Sequence, residues 1–239
     1  MTTNRPEPTA PPGPAGTGAL EEPIERFARA ERVVHWANAL LFVVVMLTGS
    51  ALYVGWLSAL VGHREQVRFV HVYAGLAIPV VIGLGLLGRH GAALRRDLER
   101  LNRWSRGDRR WFRAEHRRVG VRLGKFNPGQ KLNAAFVGGA IVVMVLTGSI
   151  MRWNEPFSDS WRTGAQFAHD WFAFFIWCSV IGHVGLALAD PVALRAMVRG
   201  SVPAAWARRE RPRWYEEITG LPAEQSSGAP PSGVQPPAR

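Results

Sequence analysis

Cysteine occurs once in this 239-residue chain, at Cys178, so no disulfide framework and no Cys-x-x-Cys cluster for zinc or iron–sulfur can form. No Cys-x-x-Cys-His segment occurs either, which excludes covalent, c-type attachment of a haem. Cys178 itself is expected as a small interior residue. Residues 1–30 lack the apolar core of a secretory signal. Acidic side chains are scarce, 18 Asp and Glu against 29 Lys and Arg, and four stretches lack charge almost entirely. Segments 33–62, 69–88 and 132–151 hold no Asp, Glu, Lys or Arg, and 163–189 holds only Asp170.

Each of these runs reaches the roughly 20 residues that a helix needs to cross a bilayer. Helices of a soluble bundle keep a polar face over such a length, and these do not. The chain is therefore read as an all-α membrane protein, a four-transmembrane-helix bundle with spans at about 33–57, 68–88, 132–152 and 166–189. One domain covers 26–190, between a Pro/Gly/Ala/Thr-rich extension at 1–25 and a Pro/Ser/Gly/Gln-rich tail at 221–239, both expected to be disordered.

The net charge of +11 is concentrated in the loop 89–125 and in the segment after the fourth span, while the other two loops are short and nearly balanced. By the positive-inside rule both termini and the long loop are cytoplasmic. No nucleic-acid-binding motif accompanies the charge. Segment 191–220, with Trp206, Trp214 and Tyr215 among arginines, is expected to lie along the cytoplasmic membrane surface as an anchor, or to dock a partner.

Four of the seven histidines fall within the spans; His63, His90 and His116 lie in or beside loops and are given no cofactor role. His169 and His183 are separated by about 21 Å of helix rise and lie near one face of the fourth span. The topology puts His35 level with His183 near the cytoplasm, and His71 level with His169 near the opposite surface. A histidine inside a membrane needs a partner. Two depth-matched pairs suit two six-coordinate b-type haems, each iron taking one axial nitrogen from either side. Zinc or copper would need further ligands at the same depth, where only Asp170 is available. A cofactor-free scaffold with structural histidines is the alternative of a different class; a proton-relay transporter ranks last, for want of acidic partners in the spans.

Residues 43–50, VVVMLTGS, are echoed at 142–149 as VVMVLTGS, and His71 follows Gly49 at nearly the distance by which His169 follows Gly148. Two related helical hairpins follow from this. In that register His183 aligns with Gly85 and His35 with Ala134, so the inner pair does not duplicate the outer one. Gly49, Gly75, Gly85 and Gly148 serve helix packing, close approach of a flat macrocycle, or both.

Before the third span stands Gly124-Lys125-Phe126-Asn127-Pro128-Gly129-Gln130-Lys131-Leu132-Asn133, level with His35 and His183. Pro128 and Gly129 break the chain, presenting Asn127, Gln130 and backbone N–H groups with a helix N-terminus behind them. Such a site suits a quinone carbonyl, which gains negative charge on reduction; an ordinary helix cap is the equal alternative.

Together, Arg32-Val33-Val34-His35-Trp36, Val70-His71-Val72-Tyr73-Ala74-Gly75, Gly-Lys-Phe-Asn-Pro-Gly-Gln-Lys, His169, His183 and Pro212-Arg213-Trp214-Tyr215-Glu216-Glu217-Ile218 resemble the cytochrome b (gamma) subunit of respiratory formate dehydrogenase. That subunit belongs to the wider family of di-haem four-helix membrane cytochromes b, and the likeness spans about residues 26–220. It implies a multi-pass protein of the bacterial inner membrane carrying two haem b, His71 paired with His169 and His35 with His183. It implies electrons passing from an iron–sulfur (beta) subunit to menaquinone or ubiquinone, with formate oxidised on a separate catalytic (alpha) subunit. Asn127, Gly129, Gln130 and His183 would border the quinone. Phe126 and Pro128 stand where the family often has Tyr and Ala. Cytochrome b subunits of hydrogenases and thiosulfate reductases share the plan and are the alternative reading.

Overall fold

The computed structural model describes residues 22–88, 91–112 and 122–223. The expected disordered extension and tail lie almost wholly outside these residues, as do His90, His116 and, among the loop arginines, Arg89, Arg113, Arg117 and Arg118. Among the described residues four helices are long and apolar enough to cross a membrane: α1 (Arg29–Tyr53), α3 (Arg64–Leu86), α6 (Pro128–Arg152) and α7 (Asp159–Ala189). Leu40, Leu47, Leu84, Leu146, Ile181 and Leu186 on their outward faces are each more than half exposed. So many apolar side chains on the outside need lipid around them. The protein is a multi-pass membrane helical bundle.

Antiparallel neighbours α1–α3 and α6–α7 pair closely as two hairpins. The helices and the expected spans do not end together. α1 stops at Tyr53 because Val54 turns extended, and the apolar run continues instead into the short helix α2 (Gly55–Val61), closed by Gly62 at φ 70°. At the same far end α7 begins at Asp159; its 31 residues make about 46 Å of helix, more than the hydrocarbon layer requires. Cys178 is exposed on α7 rather than interior, the fold having turned it outward.

The opposite end of the bundle carries a folded cap. β1 (Ile24–Glu25), just before α1, pairs antiparallel with β2 (Ser201–Val202), which follows α8 (Pro191–Arg199). Arg26 and Phe27 both donate backbone N–H bonds to the Gly200 carbonyl, at 2.7 and 2.9 Å. Gly200 has φ 97°, and a Cβ there would lie 2.9 Å from the Phe27 oxygen, so only glycine suits this crossing. Arg32 donates to the Val198 carbonyl at 2.6 Å and the Trp36 indole to that of Met197 at 3.1 Å. The first turns of α1 are thus tied to the chain leaving α7.

Helices α9 (Ala204–Glu210) and α10 (Pro212–Thr219) complete the cap. Trp206, Trp214 and Tyr215 are buried in its core with Phe27, Ala196, Val202, Ala204 and Ala207. The membrane-anchor reading of these aromatics is corrected here: they face protein, because β1 and Phe27 close over them. The Arg26 and Arg211 guanidinium groups lie against the Trp206 ring, 4.9 and 5.6 Å from its centre. Burial and the neighbouring Arg211 charge lower the Arg26 pKa to about 10.

Helices α4 (Ala92–Asn102) and α5 (Arg106–Trp111) bind the cap to α6 through buried ion pairs. Lys125 bridges Asp97 and Glu31, the latter at 3.5 Å. Lys131 donates to Asp108 at 2.9 Å and to the Arg103 carbonyl at 2.7 Å. Burial pushes the Asp108 carboxyl up, but hydrogen bonds from Lys131 and from the backbone and hydroxyl of Ser105 outweigh it and hold the group below its ordinary range. A lowered folded-state pKa stabilises above the unfolded carboxylate pKa and is lost as pH falls through the folded value. Thermal unfolding in detergent across the acid range should therefore show Asp108→Asn with a flatter pH dependence than the wild type; superimposable curves would deny Asp108 this role.

Candidate functional site

The bundle brings the intramembrane histidines together at two depths. At the far level His71 of α3 faces His169 of α7, ring centres 6.3 Å apart and planes at 68°. At the cap level His35 of α1 faces His183 of α7, at 6.2 Å and 56°. Two imidazoles on opposite sides of one metal, with metal–nitrogen bonds of about 2 Å, place their ring centres roughly 6–6.5 Å apart. The donor sets and both separations therefore fit bis-histidine ligation of a haem iron. Among the described residues no three His, Cys, Asp or Glu side chains converge as a metal cluster.

An apolar layer separates the two levels. Met46, Ala140 and Ile176 are buried there, with Phe42, Phe136, Met144, Phe172, Trp177 and Val180 packed around them. Ile176 lies seven residues from both His169 and His183, two helical turns each way on one face of α7. Its buried side chains offer water and ions no hydrogen-bonding partner between the pairs.

The glycines divide by role. A Cβ at Gly49 would stand 3.1 Å from His71 Cε1, and one at Gly148 3.3 Å from His169 Cε1, so both bring a neighbouring helix against a histidine ring. At Gly85 a Cβ would collide with Val34, and Gly75 faces Val45 at 4.0 Å; these serve the packing of α3 on α1. Next to the first two glycines stand residues that sequence reasoning passed over. Thr48 Oγ1 lies 3.0 Å from His71 Nδ1, and Thr147 Oγ1 2.9 Å from His169 Nδ1. The signal was present, since Thr-Gly recurs at one position of the repeated octapeptide.

At the cap level Asn127 is the N-cap of α6. Gln130 N–H donates to Asn127 Oδ1 at 2.8 Å and Asn127 N–H to Gln130 Oε1 at 2.9 Å, a reciprocal capping box. The cap uses the side-chain oxygens and leaves the two amide NH2 groups as donors. Gly129 lies between Asn127 and the Trp111 ring, where a Cβ would come within 3.4 and 3.3 Å. Ser179, one turn before His183, donates to Asn133 Oδ1 at 2.7 Å, which ties the start of α6 to the His183 stretch. His183 is exposed and His35 half-buried; His63 stands exposed as the N-cap of α3, about 12 Å of helix rise before His71.

Residues 26–200 match the family described as prokaryotic cytochrome b561. The chain is 29% identical over 203 residues to a formate dehydrogenase cytochrome b556 subunit of Haemophilus influenzae, covering 81% of this chain and 83% of the relative. It is 26% identical over 205 residues to the cytochrome b556(fdo) subunit of an Escherichia coli formate dehydrogenase, covering 82% and 93%. The cytochrome b556(Fdn) subunit of the nitrate-inducible formate dehydrogenase of Escherichia coli is 24% identical over 206 residues, covering 82% and 92%.

Proposed function

This chain belongs to the prokaryotic cytochrome b561 family, and we propose that it is the membrane-anchoring di-haem subunit of a formate dehydrogenase, taking electrons from an iron–sulfur partner subunit at the far face and delivering them to a quinone at the cap face. The observation that carries the reading is the pair of depth-matched histidine couples at 6.2 and 6.3 Å. The relatives named as formate dehydrogenase cytochrome b556 subunits, each alignable over four-fifths of this chain, support the choice of enzyme. Formate oxidation belongs to a separate catalytic subunit.

When bound, haem b supplies reversible one-electron chemistry at each level. The chain supplies the rest. His71 and His169 would hold the far iron and His35 and His183 the cap-level iron, with the apolar Met46–Ala140–Ile176 layer between them. Asn127 and Gln130, through the amide donors left by the capping box, hydrogen-bond a quinone carbonyl, beside Gly129 and His183. The cap lies in the cytoplasm of a bacterium and the bundle in its inner membrane. Arg95, Arg96, Arg100, Arg103, Arg106, Arg109 and Arg110 all sit at the cap end, whereas the far end balances Arg64, Arg68, Arg152 and Arg162 against Glu65, Glu155 and Asp159. An electron moving inward works against the membrane potential, about 2.3 kcal/mol per 100 mV for a full crossing, so quinone reduction with cytoplasmic protons conserves redox energy.

The test is spectral. The purified chain should give a reduced b-type spectrum with two haems per chain; a haem-free preparation that remains folded would leave a scaffold. For the quinone site, Asn127→Ala and Gln130→Ala variants that keep both haems should lose most quinol production in the assembled complex. Unchanged turnover and inhibitor affinity would remove both residues from the site.

A further inference from the structure

The hydroxyls beside the far histidines have their own protons committed. Thr48 donates to the Val44 carbonyl at 2.6 Å and Thr147 to that of Val143 at 2.7 Å, each bonding back into its own helix. A hydroxyl has one proton to give, so toward the ring each threonine oxygen is an acceptor. The proton in the Thr48–His71 and Thr147–His169 contacts, at 3.0 and 2.9 Å, must come from Nδ1. That selects the Nδ1–H tautomer in both rings and leaves Nε2 as the lone pair for a metal.

We propose that Thr48 and Thr147 are positioning residues of the far-level site, holding the Nε2 atoms of His71 and His169 toward each other and, by accepting the Nδ1–H bonds, lowering the reduction potential of the iron between them. The inference rests on the two-haem reading above. Its physical basis is that an acceptor on the distal N–H makes an imidazole a stronger donor, which favours the ferric state. Thr48 belongs to α1 and Thr147 to α6, while the histidines they hold belong to α3 and α7, so each hairpin carries one complete Thr–His unit. Gly49 and Gly148 follow these threonines and admit the rings at 3.1 and 3.3 Å. Among the described residues neither His35 nor His183 has a side-chain hydroxyl as a ring partner, so the device belongs to the repeated level alone.

Redox titration of the full-length chain in detergent, followed at its b-type absorption, tests this with Thr48→Val, Thr147→Val and their Ser counterparts. Valine keeps the shape and removes the hydroxyl acceptor, which leaves the His71 ring the Val45 carbonyl, so Thr147→Val should shift further than Thr48→Val; serine keeps the acceptor. The valine variants should move one of the two potentials upward and leave the other in place. Retention of that same haem against an external haem acceptor should weaken by about 10–100-fold. The serine variants should restore both properties, and the double valine variant should shift further than either single one. Two unmoved potentials, or serine variants that behave as valine ones, would overturn the role of the threonines while leaving the two-haem reading intact. A wild-type chain with fewer than two haems would overturn that reading, and this inference with it.

Discussion

Replacing His71 or His169 by alanine is expected to halve the haem content of the chain, from two per polypeptide to one, with the same spectral component lost in either variant. The two rings stand 6.3 Å apart across the bundle, on α3 and α7, and no other ring or carboxylate of the described residues joins them as a third metal ligand. A single remaining imidazole gives up the six-coordinate state and much of the affinity with it. His35→Ala and His183→Ala should remove the other component, because their pair lies beyond the Met46, Ala140 and Ile176 layer and shares no ligand with the first. Haem extraction with difference spectroscopy on the four variants decides the matter. Should His71→Ala and His183→Ala delete one and the same component, the pairing is wrong; should all four keep two haems, these histidines are not the ligands.

The second large effect lies outside the membrane layer. Lys125 is 5% exposed, and the two carboxylates it bridges, Glu31 and Asp97, are each 6% exposed. Removing one partner of a buried ion pair leaves the other charge without compensation, at a cost of about 3–5 kcal/mol. Asp97 would still hold Arg100 at 2.9 Å, whereas Glu31, its carboxyl already raised to about 7 by burial and by its hydrogen bond with the Asp97 side chain, would keep the Ala28 N–H at 2.6 Å and lose the one cation that favours its charged form. Lys125→Met should therefore lower the unfolding free energy by about that amount, and Glu31→Gln added to it should recover part of the loss. Denaturant unfolding in detergent, with intrinsic tryptophan emission from Trp206 and Trp214 as the probe, measures both. A variant as stable as the wild type would show that the cap does not depend on this bridge. Because the cap ties the start of α1 to the exit of α7, Lys125→Met should also loosen the cap-level haem more than the far one.

Much of the plan was legible in residue order. Charge-free runs of bilayer length announced four spans, since lipid accepts only helices whose backbone bonds are satisfied internally. Their alternation across the membrane then set the depth of each histidine, and the structure brings His71 to His169 and His35 to His183. The octapeptide repeat announced two hairpins, and its glycines serve the expected packing of neighbouring helices, which brings the His71 and His169 rings against Gly49 and Gly148. The threonines beside them went unread, because a hydroxyl within a helix usually bonds its own backbone. Thr48 and Thr147 do so, and only the neighbouring helix reveals their second contact.

The cap was misread for a related reason. Trp206, Trp214 and Tyr215 among arginines look like a membrane-surface belt, and a chain with lipid beside it would normally use them so. Whether they meet lipid or protein depends on Phe27 and β1, which arrive from the other end of the chain; the Arg32–Val198 bond alone joins residues 166 positions apart. The same holds for Asn127 and Gln130, whose capping box was one of two open readings, and for Lys125, whose carboxylates come from α1 and α4.

Residue order by itself determined the class of protein, the number of apolar spans, the pairing level of the intramembrane histidines and the duplicated hairpin, because hydrophobic length and helical period act along the chain. Only the tertiary structure decided which hydroxyls hold the far histidines, which aromatics face inward and which charges are buried. Those depend on surfaces meeting across helices distant in sequence, and no local pattern encodes such a meeting.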